Sequence, residues 1–230
     1  MKKFANKLLD FFLPRICVSC KSKLSSKENI ICSDCSDCLL RVDEKEIENA
    51  YNHKFSADKV ISNFASLFFF EVDKPVQSIL HEYKYHQKIG LGKYIGDLIA
   101  TNLGEIISGW QIDYIVPVPL HFLKKANRGF NQSIYISKEL SKKFKVPFEN
   151  KLIKRTRFTE TQTKLGYMDR QLNVKNAFKV KHPEKVFGKN VLLVDDVITT
   201  GATISECARE FQRNNSKNVY AVSFAMVKDK

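Results

Sequence analysis

Apolar and polar positions follow two different periods along most of this chain, and the alternation predicts strands connected by helices. Continuous apolar or β-branched runs predict strands at Val60–Phe70, Ile112–Val118, Phe178–Val180, Val191–Val194 and Val219–Val227. Helical spacing of apolar residues predicts helices at Pro75–His86, Leu91–Ile107 and Asn131–Phe144, and a further helix carries Ile204, Cys207, Ala208 and Phe211 on one face. Strands that alternate with helices in this way predict an α/β fold, with a parallel sheet covered on both faces.

The first 55 residues have a different pattern and predict a separate small unit. Met1–Pro14 has apolar residues at helical spacing, interrupted by Asp10, and no small-residue cleavage site follows. We interpret it as an amphipathic helix packed on the chain's own small module rather than as a signal peptide. A helix lying on a membrane surface is the alternative, so peripheral membrane contact stays open. Asp43–Asn52 is polar and predicts a linker or a short helix. The expected division is therefore 1–55 and 56–230.

Five of the six cysteines lie in this first unit. They form Cys17-x-x-Cys20 and, after an 11-residue gap, Cys32-x-x-Cys35-x-x-Cys38, a spacing that resembles a zinc ribbon. We expect structural Zn²⁺ held by the thiolates of Cys17, Cys20, Cys32 and Cys35, with Cys38 as a spare or replacement ligand. Disulfides are the alternative, but an odd number of cysteines without a secretory signal disfavours them.

Length and charge narrow the range of functions. A chain of 230 residues has room for one α/β domain and a small module. No apolar run approaches the roughly 18 residues of a membrane span, and we expect a cytoplasmic protein. The net charge is +13, and residues 120–176 hold 14 lysines and arginines against 4 acidic residues. This excess predicts a polyphosphate ligand and a nucleic-acid surface, with a solvated basic face as the alternative.

Residues 191–203 carry the most specific chemistry, and read Val-Leu-Leu-Val-Asp-Asp-Val-Ile-Thr-Thr-Gly-Ala-Thr. A buried strand is followed by two acids, Asp195 and Asp196, then by a short loop and a helix. Such a loop directs backbone N–H groups and a positive helix end at a phosphate, and Gly201 lets the backbone approach the anion. The two acids suit ribose hydroxyls or Mg²⁺. The Gly-Lys-Ser/Thr ending of a Walker A loop is absent.

This segment resembles the motif by which type I phosphoribosyltransferases bind phosphoribosyl pyrophosphate (PRPP), which enters with Mg²⁺. The resemblance implies ligand contacts from Asp195, Asp196, Val197, Thr199, Thr200, Gly201, Ala202 and Thr203. A second strand end, Pro117-Val118-Pro119, resembles the loop that faces the pyrophosphate in these enzymes. The following loop holds Arg128 and Gly129, and could close over the pyrophosphate. Asp195, Asp196 and Arg128 are the candidate catalytic residues.

The complete set of motifs is more specific. Paired Cys-x-x-Cys, Ile-Val-Pro-Val-Pro-Leu, Arg-Gly-Phe-Asn-Gln, Arg-x-x-x-x-x-x-Gln-x-x-Leu and the acidic motif occur in this order. Together they resemble the ComF family of competence proteins over essentially the whole chain. The resemblance implies a phosphoribosyltransferase-like domain behind a zinc module, and a part in natural transformation, in which single-stranded DNA enters the cytoplasm. It also makes proteins of the DNA-uptake machinery possible partners.

The sequence leaves two main functions open. The first is a PRPP-binding competence protein that holds single-stranded DNA along residues 120–176. Its candidate nucleic-acid residues are Lys124, Lys125, Lys142 and Lys143. Phe130, Tyr135, Phe158 and Tyr167 are possible stacking groups, although such aromatics are more often core residues. The alternative is an active phosphoribosyltransferase that displaces pyrophosphate from the ribose anomeric carbon with an unknown acceptor. Thr199 stands where 6-oxopurine salvage enzymes carry a carboxylate, whereas orotate-type enzymes carry threonine there. A ligand-sensing regulator is a third possibility, but no helix-turn-helix is visible.

Overall fold

The structure, a computed structural model, describes residues 14–85, 88–120, 126, 129–156 and 174–228. The strands within these residues are β1 (Asn63–Phe69), β2 (Tyr114–Pro117), β3 (Ile153–Arg155), β4 (Phe178–Val180), β5 (Asn190–Ile198) and β6 (Asn218–Met226). The helices are α1 (Ser33–Asp37), α2 (Glu44–Lys54), α3 (Pro75–Tyr85), α4 (Ile89–Gly109), α5 (Gln132–Phe144), α6 (Pro183–Val186) and α7 (Ala202–Arg213).

A four-stranded sheet in the order β1-β6-β5-β2 forms the centre of the fold, and all neighbouring strands in it are parallel. Its strands are buried on both faces, which explains why Val191–Val194 is a continuous apolar run with no exposed side chain. The carboxyl ends of β2 and β5 lie side by side, because Pro117 pairs with Val194. This edge of the sheet is where ligands bind in folds of this type.

Helices cover both faces of the sheet, as the sequence predicts. One apolar cluster joins α3, α4 and α5 to the sheet through residues such as Ile79, Ile95 and Ile136. The other joins α7 and the end of α2 to the opposite face. Helices α4 and α5 approach closely, since a Cβ atom on Gly96 would lie 2.7 Å from the Cβ of Glu139. The predicted α/β fold with a parallel sheet is therefore confirmed.

Several predicted bounds need correction. The strand predicted at Val191–Val194 continues to Ile198, so the two acids lie within β5 and do not follow it. The strand continues because its backbone still pairs with β6 beyond the acids, where Val197 is opposite Ala225. Phe178–Val180 is a strand, but it pairs antiparallel with β3 in a separate two-stranded sheet. Of the two alternatives for Asp43–Asn52, the short helix is confirmed: Asp43 caps α2 by accepting a hydrogen bond from the Glu46 N–H.

The cysteine-bearing segment packs directly on the main fold. Val18, Leu24 and Ile31 are buried in the same apolar cluster as α3 and α4. On the opposite face, Phe55 at the end of α2 contacts Phe64 of β1, with ring centroids 5.1 Å apart. The predicted helix at Met1–Pro14 lies outside the described residues except for Pro14, and the division at residue 55 stays a prediction. In the described part of the chain, every helix is too short or too polar to cross a bilayer.

Candidate functional site

The two adjacent acids near the end of β5 form the centre of the site. Asp195 is half-buried, and its Oδ1 accepts hydrogen bonds from Ser133 Oγ at 3.0 Å and from the Asp196 N–H at 2.9 Å. Burial, followed by the neighbouring charge of Asp196, raises the pKa of Asp195 to about 7. Ser133 lies in the first turn of α5, so the positive end of that helix points towards the acid. The site can therefore accept hydrogen bonds from ligand hydroxyls, or bind a cation.

Lys84 brings a positive charge to the second acid, and sequence reasoning missed it. Its Nζ lies 3.0 Å from Asp196 Oδ2, with 17% of the lysine side chain and 10% of the aspartate side chain exposed. Asp196 Oδ2 accepts no hydrogen bond of ordinary geometry from the described residues, so its interaction with Lys84 is an ion pair. Lys84 belongs to α3, far from the acids in sequence, and no local pattern marks it.

The loop after β5 has the shape of an anion-binding turn. Gly201 stands at the N-cap of α7 with φ +77°, and a Cβ there would lie 2.8 Å from Phe55 Cε1. Glycine therefore meets both a backbone and a packing requirement. Gly201 has no side chain with which to cap α7, and apart from the Ala202 N–H, which donates to Thr200 Oγ1, the first N–H groups of the helix have no intrahelical partner.

These groups open into a pocket of about 40 Å³. It is lined by Asp195, Val197, Ile198, Thr199, Thr200, Gly201, Ala202, Thr203 and Ile204. Most of the residues predicted from the motif are therefore brought together, and Asp196 lies beside them with its side chain paired to Lys84. Thr200 Oγ1 accepts a hydrogen bond from the Ala202 N–H at 3.4 Å, which orders the turn. Thr199 is exposed and available to a ligand.

The Pro117-Val118-Pro119 segment lies beside β5, where Pro117 pairs with Val194. Its Val118 N–H donates to the Val194 carbonyl at 2.9 Å, so the segment is fixed against β5. Asn131 donates from Nδ2 to the Val118 carbonyl at 2.9 Å, while its Oδ1 accepts from the Ser133 N–H as the cap of α5. Asn131 thus joins the Pro117-Val118-Pro119 segment to the helix that carries Ser133. Arg128, the predicted catalytic cation, lies outside the described residues.

The four predicted zinc ligands come together. The Sγ atoms of Cys17, Cys20, Cys32 and Cys35 all lie within 4.8 Å of one another. The Cys20 and Cys32 sulfurs are 3.6 Å apart, close to the separation of about 3.8 Å that a tetrahedron with Zn–S bonds of about 2.3 Å requires. Cys38 is exposed and is not part of this cluster, while Cys207 is buried in the core. The donor set therefore fits zinc.

The predicted nucleic-acid residues are only partly placed. Lys142 and Lys143 are exposed in the last turn of α5, but Lys143 forms an ion pair with Asp97. Lys124, Lys125, Phe158 and Tyr167 lie outside the described residues. Phe130 is a buried core residue that packs on Tyr83 and Tyr135, which agrees with the core alternative and not with a stacking role.

Comparison with known proteins agrees with this geometry. The family described as "Phosphoribosyl transferase domain" matches residues 131–230. "Competence protein F" of Haemophilus influenzae is 27% identical over 220 residues, which cover 88% of this chain and 92% of that protein. "DNA utilization protein YhgH" of Escherichia coli K12 is 33% identical over 148 residues, 63% of this chain and 64% of that protein. The chain is similar to both of these proteins, and its motifs resemble those of the ComF family.

The matched domain agrees with the fold already described. A solved structure of the glutamine PRPP amidotransferase from B. subtilis is 19% identical, with a TM-score of 0.41 over 61% of this chain and 30% of that chain. The chain carries a type I phosphoribosyltransferase fold, in which β5, its loop and α7 fall within the matched domain, and the cysteine cluster precedes it.

Proposed function

We propose that the chain binds PRPP, or a related phosphoribosyl ligand, at the acid pair and the loop before α7. The observation that carries the proposal is one pocket that holds Asp195 and the start of α7, with Asp196 next to it and Pro117 paired with Val194 of the same strand. The carboxylates offer acceptors to two ribose hydroxyls, and the loop N–H groups offer donors to the 5-phosphate. Bound Mg²⁺ would neutralise the pyrophosphate charge.

Calorimetric titration with Mg²⁺ and PRPP tests this proposal. The double variant Asp195→Asn/Asp196→Asn keeps side-chain volume but removes the charge that strengthens each acceptor bond. Because a hydrogen bond to a charged group contributes about 1.5–3 kcal/mol, we expect affinity to fall at least about tenfold. Asp73→Asn is the control, since Asp73 is exposed and asparagine tolerates its φ of +60°. Unchanged affinity in the double variant would place the ligand elsewhere.

The biological role that we propose is the handling of single-stranded DNA during natural transformation, on the cytoplasmic side. The names of the two relatives, competence protein F and DNA utilization protein, support this role, as does the basic segment 120–176. Lys142 lies ten residues from Gln132 along α5, about 15 Å from the end that faces the acids. Lys142 therefore lies away from the PRPP pocket.

A salt titration with single-stranded DNA, duplex DNA and heparin tests the DNA role. Reversal of Lys124, Lys125, Lys142 and Lys143 to Glu should weaken binding to single strands and flatten the log–log salt dependence, whose slope is about −0.7 for each phosphate neutralised. Asp195→Asn should leave this slope nearly unchanged, because it removes no positive charge. Equal affinity for all three polyanions, with no response to the reversals, would leave a solvated basic face as the better interpretation.

An active phosphoribosyltransferase is the second candidate, because the acid pair and the loop are the groups that such a reaction requires. Pyrophosphate would leave the anomeric carbon through an oxocarbenium-like state, with Asp195 and Asp196 holding the ribose. Incubation with Mg²⁺, PRPP and a panel of bases, with and without single-stranded DNA, separates the candidates. Release of pyrophosphate that depends on one acceptor would favour the enzyme, and binding without release would favour the competence protein.

A further inference from the structure

Lys84 is the one basic side chain in the described part of the chain that pairs with either acid of the site. Its ammonium lies 3.0 Å from Asp196 Oδ2, and both side chains are largely buried. The carboxylate oxygen makes no hydrogen bond of ordinary geometry among the described residues, so it keeps acceptor capacity for a ligand hydroxyl. Lys84 can therefore balance charge at the site without filling the position that a ribose would take.

The need for such a charge follows from the rest of the site. Asp195 and Asp196 are adjacent and partly removed from water, where like charges repel more strongly than they do in solvent. A phosphoribosyl pyrophosphate adds several negative charges to them. Divalent cations that arrive with the pyrophosphate reduce this repulsion, but a resident ammonium reduces it before any ligand binds.

The last turn of α3 holds Lys84 in place through both of its preceding neighbours. Tyr83 is buried, and its hydroxyl donates to the Gln132 carbonyl at 2.6 Å, next to Ser133. Glu82 accepts from Lys21 at 2.5 Å and from Lys88 at 2.7 Å. The backbone that carries Lys84 is thus anchored to α5 and to the cysteine-bearing segment, and the ammonium is positioned in advance.

We propose that Lys84 is a positioning residue of the ribose subsite, which orients Asp196 and lowers the Mg²⁺ concentration needed to bind a phosphoribosyl pyrophosphate. This inference rests on the proposed function. Lys84 acts through Asp196, and the role differs from simple structural support in one measurable respect. A cation added from solution should partly replace Lys84, whereas it should not repair a distorted pocket.

The test measures PRPP affinity across a series of Mg²⁺ concentrations for Lys84→Met, Lys84→Arg and Lys93→Met. Lys93 is exposed on α4, and its variant controls for the loss of one positive charge. We expect Lys84→Met to weaken binding about tenfold at low Mg²⁺, with the deficit narrowing as Mg²⁺ rises. Lys84→Arg should restore most of the affinity. A deficit that stays constant at every Mg²⁺ concentration, or no deficit, would overturn the proposal.

A ligand-free measurement keeps the two proposals distinguishable. Urea unfolding of Lys84→Met, Asp196→Asn and the double variant forms a double-mutant cycle. We expect Lys84→Met to lower the unfolding midpoint in the native background and to lower it much less beside Asp196→Asn. Additive shifts would overturn the role of Lys84. Failure of the unsubstituted protein to bind PRPP would instead contradict the proposed function, and the cycle would still decide whether Lys84 serves the acid.

Discussion

The cysteine cluster and the acid pair are both sets of side chains that lose protons and repel one another, but the chain assembles them in opposite ways. The cysteine ligands come from one short segment, residues 17–35, and meet through two tight turns. The partners of the acids come from distant helices, since Ser133 is 62 residues from Asp195, and Lys84 belongs to α3. One cluster is local in sequence, and the other exists only in the folded sheet.

This difference indicates what each site depends on. We expect the cysteine cluster to depend on a bound metal, because four adjacent thiolates repel one another and the segment contributes only a few apolar side chains to the core. The acid pair is destabilising by itself, and the large core on both faces of the sheet compensates for it. Removal of one cysteine should therefore destabilise the first site. Removal of the carboxylate charge of Asp195 should instead relieve the repulsion at the second site.

The largest effect is expected at the cysteine cluster. Cys17→Ser should abolish zinc binding and release the segment that packs on α3 and α4. Because Val18, Leu24 and Ile31 are buried there, we expect the free energy of unfolding to fall by at least about 3 kcal/mol. For a chain of this size, that loss lowers Tm by about 6–12 °C. Metal analysis of the purified protein and a thermal scan measure the two effects.

Cys38→Ser is the matched control for this variant. Cys38 is exposed and lies outside the cluster, so its replacement should change neither zinc content nor Tm. Unsubstituted protein without zinc, and with its cysteines oxidised in pairs, would contradict the metal site. Zinc loss in Cys38→Ser would show that the fifth cysteine is a ligand.

The same contrast explains how much could be predicted from the sequence. The cysteine ligands and the strand–loop–helix segment were predictable, because their geometry follows from spacing within one stretch of chain. Lys84 was not, since it is one of many lysines and only the packing of α3 brings it to Asp196. The Arg-Gly-Phe-Asn-Gln motif drew attention to Asn131, but the sequence did not predict that its side chain both caps α5 and bonds to the Val118 carbonyl.

Gly201 tests how firmly the phosphate loop depends on the fold around it. Gly201→Ala must adopt φ +77° and place a Cβ 2.8 Å from Phe55 Cε1. We expect a loss of about 1–3 kcal/mol in unfolding free energy, together with weaker PRPP binding. Urea unfolding and calorimetry measure both quantities.

Two further variants separate the backbone and steric causes of the Gly201→Ala loss. Gly90→Ala is the control, because nothing lies within 4 Å of a Cβ there and its φ is ordinary, so stability should hold or rise slightly. Phe55→Leu beside Gly201→Ala should recover only the steric part of the loss. A Gly201→Ala protein as stable as Gly90→Ala would show that α2 and the loop do not pack as described.

The pH dependence of stability should reveal the repulsion between Asp195 and Asp196. Its pKa is raised to about 7, so between pH 4 and 7 the folded state binds more protons at this group than the unfolded state does. The contribution of Asp195 to stability is therefore lost as pH rises through this window. Asp195→Asn should remove that loss, and at pH 7.5 it should stabilise the protein by at least about 1 kcal/mol, the equivalent of roughly one pKa unit.

Urea midpoints measured from pH 5 to pH 7.5 check this pH dependence. The native protein should lose stability across the window relative to Asp195→Asn, and the two curves should converge at the acidic end. Ser133→Ala should steepen the loss, since the serine hydroxyl donates to the charged acid. Parallel curves for the native protein and Asp195→Asn would contradict a raised pKa at this site.

The smallest effect is expected where the two regions meet. Lys21 follows Cys20 of the cysteine cluster, and its Nζ lies 2.5 Å from Oε1 of Glu82, which stands two residues before Lys84. Although burial acts in the opposite direction, hydrogen bonds from Lys21 and Lys88 lower the pKa of Glu82 to about 2. The contribution of Glu82 to stability is thus present above pH 4.5, the ordinary pKa of a glutamate, and is lost towards pH 2.

Because Lys21 is more than half exposed, Lys21→Ala should lower the free energy of unfolding by only about 0.2–1 kcal/mol at pH 7, without changing zinc content or PRPP affinity. Unfolding, metal analysis and calorimetry on this single variant would check all three outcomes. A marked fall in PRPP affinity would mean that the local cluster and the assembled acid pair are coupled through α3, and that the two sites are less independent than their construction indicates.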